Sequence, residues 1–374
     1  MASVDRVRDG WRARWRTPEG ASRSRNFKRK VDAERFLTTT EATKLAGGYV
    51  DPAAGRVTLV EFATEWLSCQ TFDPSTREAV ESRLRVHILP TLGTIELRQI
   101  RPSTVQAWLR GRQETCAPRY VRVMLANLSA ILGAAVEDDL IPRNPCQSSA
   151  GKAPAVLPTK VVPWTVEQVT AVVNAHPERW RAAPVVAAGC GLRQGEVFGL
   201  RVEDVDLVRH RVLVRQQGKL LGGHPVIALP KGRKTREVPL PTVVAVAITE
   251  HLRQHPAVVG LLFTSRERRL ANRNHYNRNV WKPSLRRAGV TPSRDNGMHA
   301  LRHFYASVQL EAGTSIRALA DYLGHSDPGF TLRVYTHLMP STDDRAREAV
   351  DLAFDPDVMP DGSGQVEPPN GLTS

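Results

Sequence analysis

The sequence is poor in several features that mark whole classes of protein. It contains only four cysteines in 374 residues, Cys69, Cys116, Cys146 and Cys190. They form no CxxC pair and have no histidine at zinc-ligand spacing, which argues against a disulfide framework and a structural zinc site. We expect reduced, mostly buried thiols. The N-terminus lacks the apolar core of a signal peptide, and no apolar run looks long enough to cross a bilayer. These absences predict a cytoplasmic protein with no membrane partner.

What the sequence has in excess is positive charge. Lys and Arg number 52 against 38 Asp and Glu, for a formal net charge of +14. Hydrophobic residues make up 41% and charged residues 24%, which is ordinary for a globular protein. The length favours two or three domains. The charge makes polyanions such as nucleic acids natural partners, although a basic, solvated surface gives the same balance.

Residues 1–50 form a compositional block of their own. Basic residues alternate with aromatic and apolar ones at residues 11–16 and 23–30, with the period of a strand, and residues 17–20 carry turn chemistry between them. A helix at residues 31–45 is predicted to follow. A small sheet-plus-helix DNA-binding domain is favoured over a flexible basic tail. Its candidate DNA contacts are Arg12, Arg14, Arg16, Arg25, Lys28 and Lys30.

The next segment predicts a helical bundle over residues 57–147. Residues 49–55 resemble a linker, and Thr58 with Glu61 forms a capping-box pattern. Helical periodicity follows at residues 59–68, 74–88, 102–112 and 117–138. Most single arginines are merely solvated, but a bundle between two basic regions is well placed to grip a duplex. Arg119 and Arg122 are its candidate DNA contacts.

A tether at residues 147–162 precedes a third domain, predicted over residues 163–354. Helices at residues 166–175 and 180–190 lead into a strand-rich middle, and helices return after residue 241. Residues 355–374, rich in Pro, Gly and Asp, are predicted to be disordered. The fold class is therefore a multidomain α+β protein. It combines a small N-terminal β-sheet with a helix, an all-α core-binding bundle, and a mainly helical C-terminal domain with a small antiparallel sheet.

Four segments of the third domain carry chemistry. Residues 191–196, 229–234, 298–303 and 323–337 each place a cation, a histidine or a nucleophile beside a turn or helix start. Singly they are weak signals. In this order they resemble the tyrosine recombinase, or phage integrase, family, and the whole layout is similar to actinobacterial phage-type integrases with an N-terminal arm-binding domain. The resemblance implies a catalytic set of Arg193, Lys231, His299, Arg302, His325 and Tyr335.

The implied chemistry is physically consistent. Two arginines can hold the charge that develops on phosphate oxygens, so no metal, ATP or other cofactor is expected. Tyr335 would be the nucleophile and His299 its base. Lys231, at the tip of a predicted strand-turn-strand hairpin, would be the acid for the leaving 5′ oxygen, with Lys234 as a rival. His325 would donate to the phosphate and Glu196 would orient the site. The family pattern does not use His303 or His337, which we interpret as packing or surface histidines.

The resemblance implies a site-specific recombinase that integrates or excises a phage or mobile element through a 3′-phosphotyrosyl intermediate. Its partners would be core and arm attachment sites, three further copies of the chain in a homotetramer on DNA, a host DNA-bending protein and an excisionase. It would act at the nucleoid of a bacterial cytoplasm. Two other hypotheses are a Xer-like resolution recombinase and a non-catalytic DNA-binding regulator. A type IB topoisomerase shares the nucleophile chemistry.

Overall fold

The structure of the chain is a computed structural model that describes residues 2–18, 20–46, 48–51, 54–148, 153–155, 160–338, 347 and 350–352. The predicted tail at residues 355–374 lies outside the described residues. The chain divides into two compact units, residues 1–158 and residues 159–374. Helices with small antiparallel sheets make up both units, which confirms the predicted α+β class.

The first unit begins with a three-stranded antiparallel sheet in the order β1-β2-β3, packed on one helix. Alternation along β2 places Ala13 and Trp15 against Ala33 and Leu37 of the helix, and these four residues form a small buried core. The sheet-plus-helix prediction is therefore confirmed. The elements are β1 (Ser3–Val7), β2 (Gly10–Arg16), β3 (Ser22–Phe27) and α1 (Lys30–Leu45).

The predicted linker at residues 49–55 is largely packed. Trp15 Nε1 donates to Tyr49 Oη at 2.6 Å, and Arg23 Nη2 donates to an Asp51 carboxylate oxygen at 2.6 Å. At the other end Gly55 is buried, and a Cβ atom there would lie 2.6 Å from the carbonyl oxygen of Leu140. The described residues at the start of this segment therefore pack on the N-terminal sheet, and those at its end pack on the helical region that follows.

A helical bundle completes the first unit. Its helices are α2 (Leu59–Cys69), α3 (Pro74–Arg83), α4 (Leu89–Leu92), α5 (Pro102–Thr115) and α6 (Pro118–Glu137), and a π-helical turn, Leu84–Ile88, joins α3 to α4. The capping box of Thr58 and Glu61 is present at the start of α2. By length and composition α6 could cross a membrane, contrary to the sequence-based expectation. Its apolar stripe, which includes Leu128 and Ile131, is buried in the bundle core, and this packing accounts for the composition.

The second unit is mainly helical. Its helices are α7 (Val166–Asn174), α8 (Glu178–Cys190), α9 (Gln194–Gly199), α10 (Thr242–Gln254), α11 (Arg273–Tyr276), α12 (Lys282–Arg287), α13 (His299–Glu311), α14 (Ile316–Leu323) and α15 (Pro328–Tyr335). Its strands are β4 (Val205–Asp206), β5 (Arg211–Val214), β6 (Gln217–Leu221), β7 (His224–Ala228) and β8 (Arg236–Pro239). The core lies between α8, α13 and the strands, with Leu301 of α13 fully buried.

Strand pairing corrects the hairpin that the sequence predicted around Lys231. Strand β7 pairs with β6 through a turn at Gly222 and Gly223, whereas β8 pairs with β5. Both glycines have positive φ, 57° and 81°, which suits a tight hairpin turn. Because this turn already supplies a partner for β7, the strands before and after Lys231 belong to different sheets. Lys231 therefore lies on an irregular loop and not at a hairpin tip.

None of the four cysteines forms a disulfide bond, and they differ in burial. Cys146 and Cys190 are buried, and burial raises the pKa of each thiol to about 12. Cys116 is half-buried and Cys69 is exposed. The expectation of mostly buried thiols thus holds for two of the four, because Cys69 ends α2 at the surface.

Candidate active site

Arg302 lies at the centre of the site and is only 1% exposed. Its Nη1 donates to the Gly191 carbonyl at 2.8 Å, and its Nη2 donates to the Leu323 carbonyl. Helices α8 and α14 both end at a glycine with a left-handed backbone conformation, Gly191 and Gly324. Arg302 therefore donates to carbonyl oxygens at the C-termini of two helices. Burial and the nearby charge of Arg193 lower the pKa of Arg302 to about 9. The guanidinium is thus fixed in place before any ligand arrives.

Gly191 allows the loop that carries Arg193 to approach α13 closely. Its φ is +62°, and a Cβ atom there would lie 2.4 Å from the Tyr305 ring. No side chain fits both constraints without displacing that ring. Gly191 therefore permits the short distance between the segment at residues 191–196 and helix α13.

Arg193 is held by a buried carboxylate. Its Nη1 donates to Glu196 Oε1 at 2.9 Å, and its backbone N–H donates to Glu196 Oε2 at 2.8 Å. Glu196 also accepts from Arg236, at 3.0 and 2.7 Å. Burial alone would raise the pKa of Glu196, but the hydrogen bond and charge of Arg236, with the charge of Arg193, bring it down to about 2. Glu196 is therefore ionised at neutral pH and orients both arginines.

Sequence reasoning missed Arg236, whose side chain is only 8% exposed. Its Nε donates to the Tyr322 carbonyl at 2.7 Å, so it ties β8 to α14 as well as to Glu196. An arginine at the start of a predicted strand carries no local signal of burial. Only the pairing of β8 with β5 reveals where its side chain goes.

His325 is oriented from both sides. Arg302 Nη2 lies 3.0 Å from His325 Nε2, and His325 Nδ1 lies 2.7 Å from the hydroxyl of Thr331, which is fully buried in α15. Since arginine can only donate, Nε2 accepts and Nδ1 carries the hydrogen toward Thr331. Burial and the charge of Arg302 lower the pKa of His325 to about 4. Thr331 is a further orienting residue that the sequence did not reveal.

Tyr335 ends α15 and is 1% exposed. Its hydroxyl lies 2.8 Å from His303 Nδ1. Burial raises the pKa of Tyr335 to about 12, although Arg302 and Arg193 act in the opposite direction. Burial and the charge of Arg302 lower the pKa of His303 to about 4. A protonated phenol therefore donates to a neutral imidazole.

His303 is half-buried and hydrogen-bonded to Tyr335, so the structure corrects its interpretation as a surface histidine. A signal was available, because His299, Arg302 and His303 stand at positions i, i+3 and i+4 and share one face of α13. The His299 and His303 rings are 4.7 Å apart in an edge-to-face arrangement. Among the described residues, Tyr335 Oη has His303 as its hydrogen-bond partner and makes no such bond to His299. Partial burial and neighbouring positive charges lower the pKa of His299, even though part of it is open to solvent.

The structure does not bring Lys231 into this network. Lys231 and Lys234 are both exposed, on a loop where Gly232 and Arg233 have positive φ. Within the described part of the chain, neither lysine forms a hydrogen bond or ion pair. His337 is also exposed, with Nε2 2.7 Å from the Val161 carbonyl oxygen, as expected for a surface histidine.

Four of the predicted DNA contacts of residues 1–50 belong to strands β2 and β3 and lie on two different faces of the N-terminal sheet. Arg12, Arg14 and Arg16 alternate with Ala13 and Trp15, so they lie on the face that α1 leaves open. On the helix side, Arg25 lies over the Phe27 and Phe36 rings at 5.3 Å, and Lys30 lies over the Trp11 ring at 5.5 Å. Lys28 is exposed just after β3, and Arg119 and Arg122 are exposed at the start of α6.

We expect Glu196→Gln to lower the free energy of unfolding by about 3–5 kcal/mol at pH 7, because it leaves buried arginines without their counter-charge. The folded-state pKa of Glu196 is depressed to about 2. Its stabilisation is therefore present above about pH 4.5 and is lost as the pH falls toward 2. Urea unfolding at pH 7 and pH 3 measures this.

The matched control is Glu250→Gln, which removes a surface carboxylate paired with Arg253 and should change stability far less. The difference in free energy of unfolding between wild type and Glu196→Gln should be smaller at pH 3 than at pH 7. An equal gap at both pH values, or a loss no larger than that of the control, would contradict the role assigned to Glu196.

Comparison with known proteins agrees with this arrangement. Residues 163–341 match the phage integrase family, and residues 58–111 match the phage integrase N-terminal SAM-like domain. A putative prophage phiRv2 integrase of Mycobacterium tuberculosis is 31% identical over 346 residues, which cover 89% of this chain and 90% of that protein.

Two solved structures share the fold. A Tn1549 transposon integrase in complex with transposon right end DNA has a TM-score of 0.67 at 21% identity, covering 79% of this chain and 100% of that one. A lambda integrase tetramer bound to a Holliday junction has a TM-score of 0.59 at 16% identity, covering 88% of this chain and 92% of that one. From the sequence match over nearly its full length, the chain belongs to the phage integrase family.

Proposed function

We propose that this chain cuts and rejoins DNA with Tyr335 as the nucleophile, forming a link between its phenolic oxygen and a DNA 3′ phosphate. Its family makes it a tyrosine-type site-specific recombinase. The observation that carries the residue assignment is the convergence of the ends of α8 and α14, together with His325, on Arg302 of α13, while Tyr335 is hydrogen-bonded to the next residue of that helix, His303. Tyr335 ends α15, within the field of Arg302 and Arg193.

Arg193 and Arg302 would bind the scissile phosphate. In-line displacement spreads negative charge over the equatorial phosphate oxygens, and guanidinium groups can meet that charge with paired hydrogen bonds. Both arginines are already oriented, Arg193 by Glu196 and Arg302 by two carbonyls. Removal of one such preorganised donor typically costs ~10²–10³-fold in rate. His325 accepts from Arg302 and donates to Thr331 in this state, so its proposed donation to the phosphate requires Nε2 to gain a proton when DNA binds.

In the reaction, the Tyr335 oxygen forms a bond to phosphorus as the bond to the 5′ oxygen breaks. The phenol loses its proton, and the 5′ oxygen gains one. Attack by a new 5′ hydroxyl reverses each step and releases Tyr335, so the energy of the phosphodiester bond is retained. Lys231 would protonate the 5′ oxygen, with Lys234 as the alternative. The exposed loop that carries both lysines must then approach the phosphate when DNA is bound.

The expected role of His299 as base stays a prediction without a supporting contact to Tyr335. We keep His299 in the catalytic set for its position on the same face of α13 as Arg302.

Double-stranded DNA is the proposed partner of both units. The open face of the N-terminal sheet, with Arg12, Arg14 and Arg16, would bind arm sites. Arg119 and Arg122 would contact the core site. The lambda integrase tetramer on a Holliday junction supports a homotetramer here. Action on DNA places the chain inside the cell, at the nucleoid in our proposal, and a host DNA-bending protein and an excisionase remain predicted partners.

Two observations favour an integrase over the other hypotheses. Xer-like recombinases resemble the bundle and the catalytic domain, whereas this chain begins with a folded basic sheet and matches a prophage integrase over 89% of its length. A non-catalytic regulator would have no need of a buried tyrosine hydrogen-bonded beside two ordered arginines.

We predict that Tyr335→Phe binds a core-site duplex normally but forms no covalent adduct, because the ring still packs and the attacking oxygen is absent. A denaturing gel of protein incubated with nicked core-site DNA measures the adduct. His337→Ala is the matched control, since it alters an exposed side chain two residues away, and it should cleave at nearly the wild-type rate. An adduct formed by Tyr335→Phe would refute the nucleophile assignment.

We predict that sulfur in place of the leaving 5′ oxygen restores cleavage to Lys231→Ala but not to Arg193→Ala. A thiolate leaves with little need for an acid, whereas the negative charge on the phosphate oxygens still needs the guanidinium of Arg193 to stabilise it. Cleavage rates on the oxygen and sulfur substrates provide the measurement. Rescue of Lys234→Ala instead would move the acid to that residue, and rescue of neither lysine variant would remove the acid from this loop.

We predict that Arg16→Ala weakens arm-site binding and reduces the slope of log affinity against log salt by about 1, as expected for the loss of one phosphate contact. Arg25→Ala is the control, because its side chain lies on the helix side of the sheet. Fluorescence anisotropy over a salt series measures both. A larger effect for Arg25→Ala would indicate that the other face binds DNA.

A further inference from the structure

The Tyr335 hydroxyl has a specific partner that the family pattern does not name. We propose that His303 accepts the phenolic proton of Tyr335 during strand cleavage, the role that the sequence assigned to His299. This inference rests on the proposed function of Tyr335. It adds a catalytic residue to the set, since His303 touches the reacting oxygen.

The geometry is that of a general base and its nucleophile. His303 Nδ1 lies 2.8 Å from Tyr335 Oη, within the range expected for proton transfer. Tyr335 is 1% exposed, so little water competes for its hydroxyl proton. Among the described residues, the His303 ring forms a hydrogen bond to Tyr335 through Nδ1. Since Nδ1 accepts this bond, Nε2 carries the hydrogen of the neutral imidazole.

Burial and the local charge keep His303 unprotonated before DNA binds. Burial and the neighbouring Arg302 lower the pKa of His303 to about 4, so the imidazole is neutral near pH 7. Burial raises the pKa of Tyr335 to about 12, so the resting pair is a neutral phenol donating to a neutral imidazole. Tyr335 is therefore not ionised before DNA binds, and its proton has to leave within the DNA complex.

The transfer becomes favourable as the new bond forms. When Tyr335 Oη bonds to phosphorus, positive charge develops on that oxygen and its proton becomes strongly acidic. The proton then passes to His303 Nδ1 while the bond from phosphorus to the 5′ oxygen breaks. The negative phosphate, held by Arg193 and Arg302, partly offsets the charge of the imidazolium. In rejoining, His303 returns the proton to Tyr335 as the phenol leaves.

His299 supports this arrangement without taking the proton itself. Its ring packs edge-to-face on His303 at 4.7 Å, one turn earlier on the same helix. This contact restrains the His303 ring in the orientation that aims Nδ1 at Tyr335. The arrangement explains why a helix carries His299, Arg302 and His303 on one face.

A merely structural role for His303 must be separated from proton transfer. His303→Asn does so, because the Asn carbonyl oxygen can accept the same hydrogen bond near the position of Nδ1 but cannot take a proton. His337→Asn makes the same change at an exposed histidine and is the matched control. Thermal unfolding and duplex binding should be close to wild type for both variants. If His303→Asn lowers either, His303→Gln replaces it.

The experiment measures formation of the covalent adduct between the full chain and a nicked core-site duplex. The duplex takes its sequence from the ends of the phage or mobile element that encodes the chain. His303→Asn should slow cleavage by ~100-fold or more, the usual range for loss of a general base. Each variant is then prepared with a fluorinated tyrosine at position 335, whose more acidic phenol needs less help from a base. The defect of His303→Asn should shrink by about tenfold or more, whereas the defect of Arg302→Lys should not shrink.

The outcomes are distinct. If His303→Asn cleaves within about threefold of wild type, or its defect is unchanged with the acidic tyrosine, His303 is not the base. If wild type forms no adduct, or Tyr335→Phe forms one, the proposed function fails and this inference fails with it. Rescue of His299→Asn, but not of His303→Asn, by the acidic tyrosine would return the role to His299.

Discussion

The burial of one guanidinium, that of Arg302, is the constraint on which the site depends. A buried cation is costly unless its hydrogen-bond donors are satisfied, and here the partners are carbonyls at the ends of α8 and α14 together with His325. Each helix ends at a left-handed glycine, which turns its last carbonyls toward the arginine. Satisfying Arg302 thus brings together the segments that carry Arg193 and His325, and α15 follows the latter along the chain.

A second buried ionic group balances the first. Glu196 accepts hydrogen bonds from Arg193 and Arg236 and stays ionised, yet one carboxylate faces three arginines in this region. The excess positive charge is what a phosphodiester would neutralise on binding. Burial, together with this charge, lowers the pKa values of His303 and His325, so both histidines are neutral before DNA binds. The same positive charge that favours an anion in the site therefore also disfavours the protonated form of these two histidines.

Much of this was predictable from the sequence because local rules govern it. Strand alternation placed Ala13 and Trp15 inside the N-terminal sheet, and the capping pattern at Thr58 located the start of α2. The proposed roles of Arg193, Arg302, His325 and Tyr335 came instead from the resemblance to a known family, which the order of these residues along the chain carries. Helix boundaries followed from periodicity and from Pro and Gly punctuation.

What the sequence missed depends on contacts between distant segments. The pairing of β7 with β6 displaced Lys231 from a hairpin tip, and no local rule chooses between two antiparallel partners. The burial of Arg236 and Thr331 became visible only when β8, α14 and α15 were placed together. His303 was dismissed because the family pattern does not use it, although helical spacing put it beside His299. Separating Arg16 from Arg25 required knowing which face of the sheet α1 covers.

If Tyr335 is the nucleophile, its phenolic oxygen joins a DNA 3′ phosphate. The most direct measurement is mass spectrometry of the trapped complex after digestion with nuclease and protease, which locates the nucleotide remnant on one peptide. We expect a remnant linked through its 3′ phosphate to the peptide that contains Tyr335. A remnant on any other residue, or one linked through a 5′ phosphate, would contradict it.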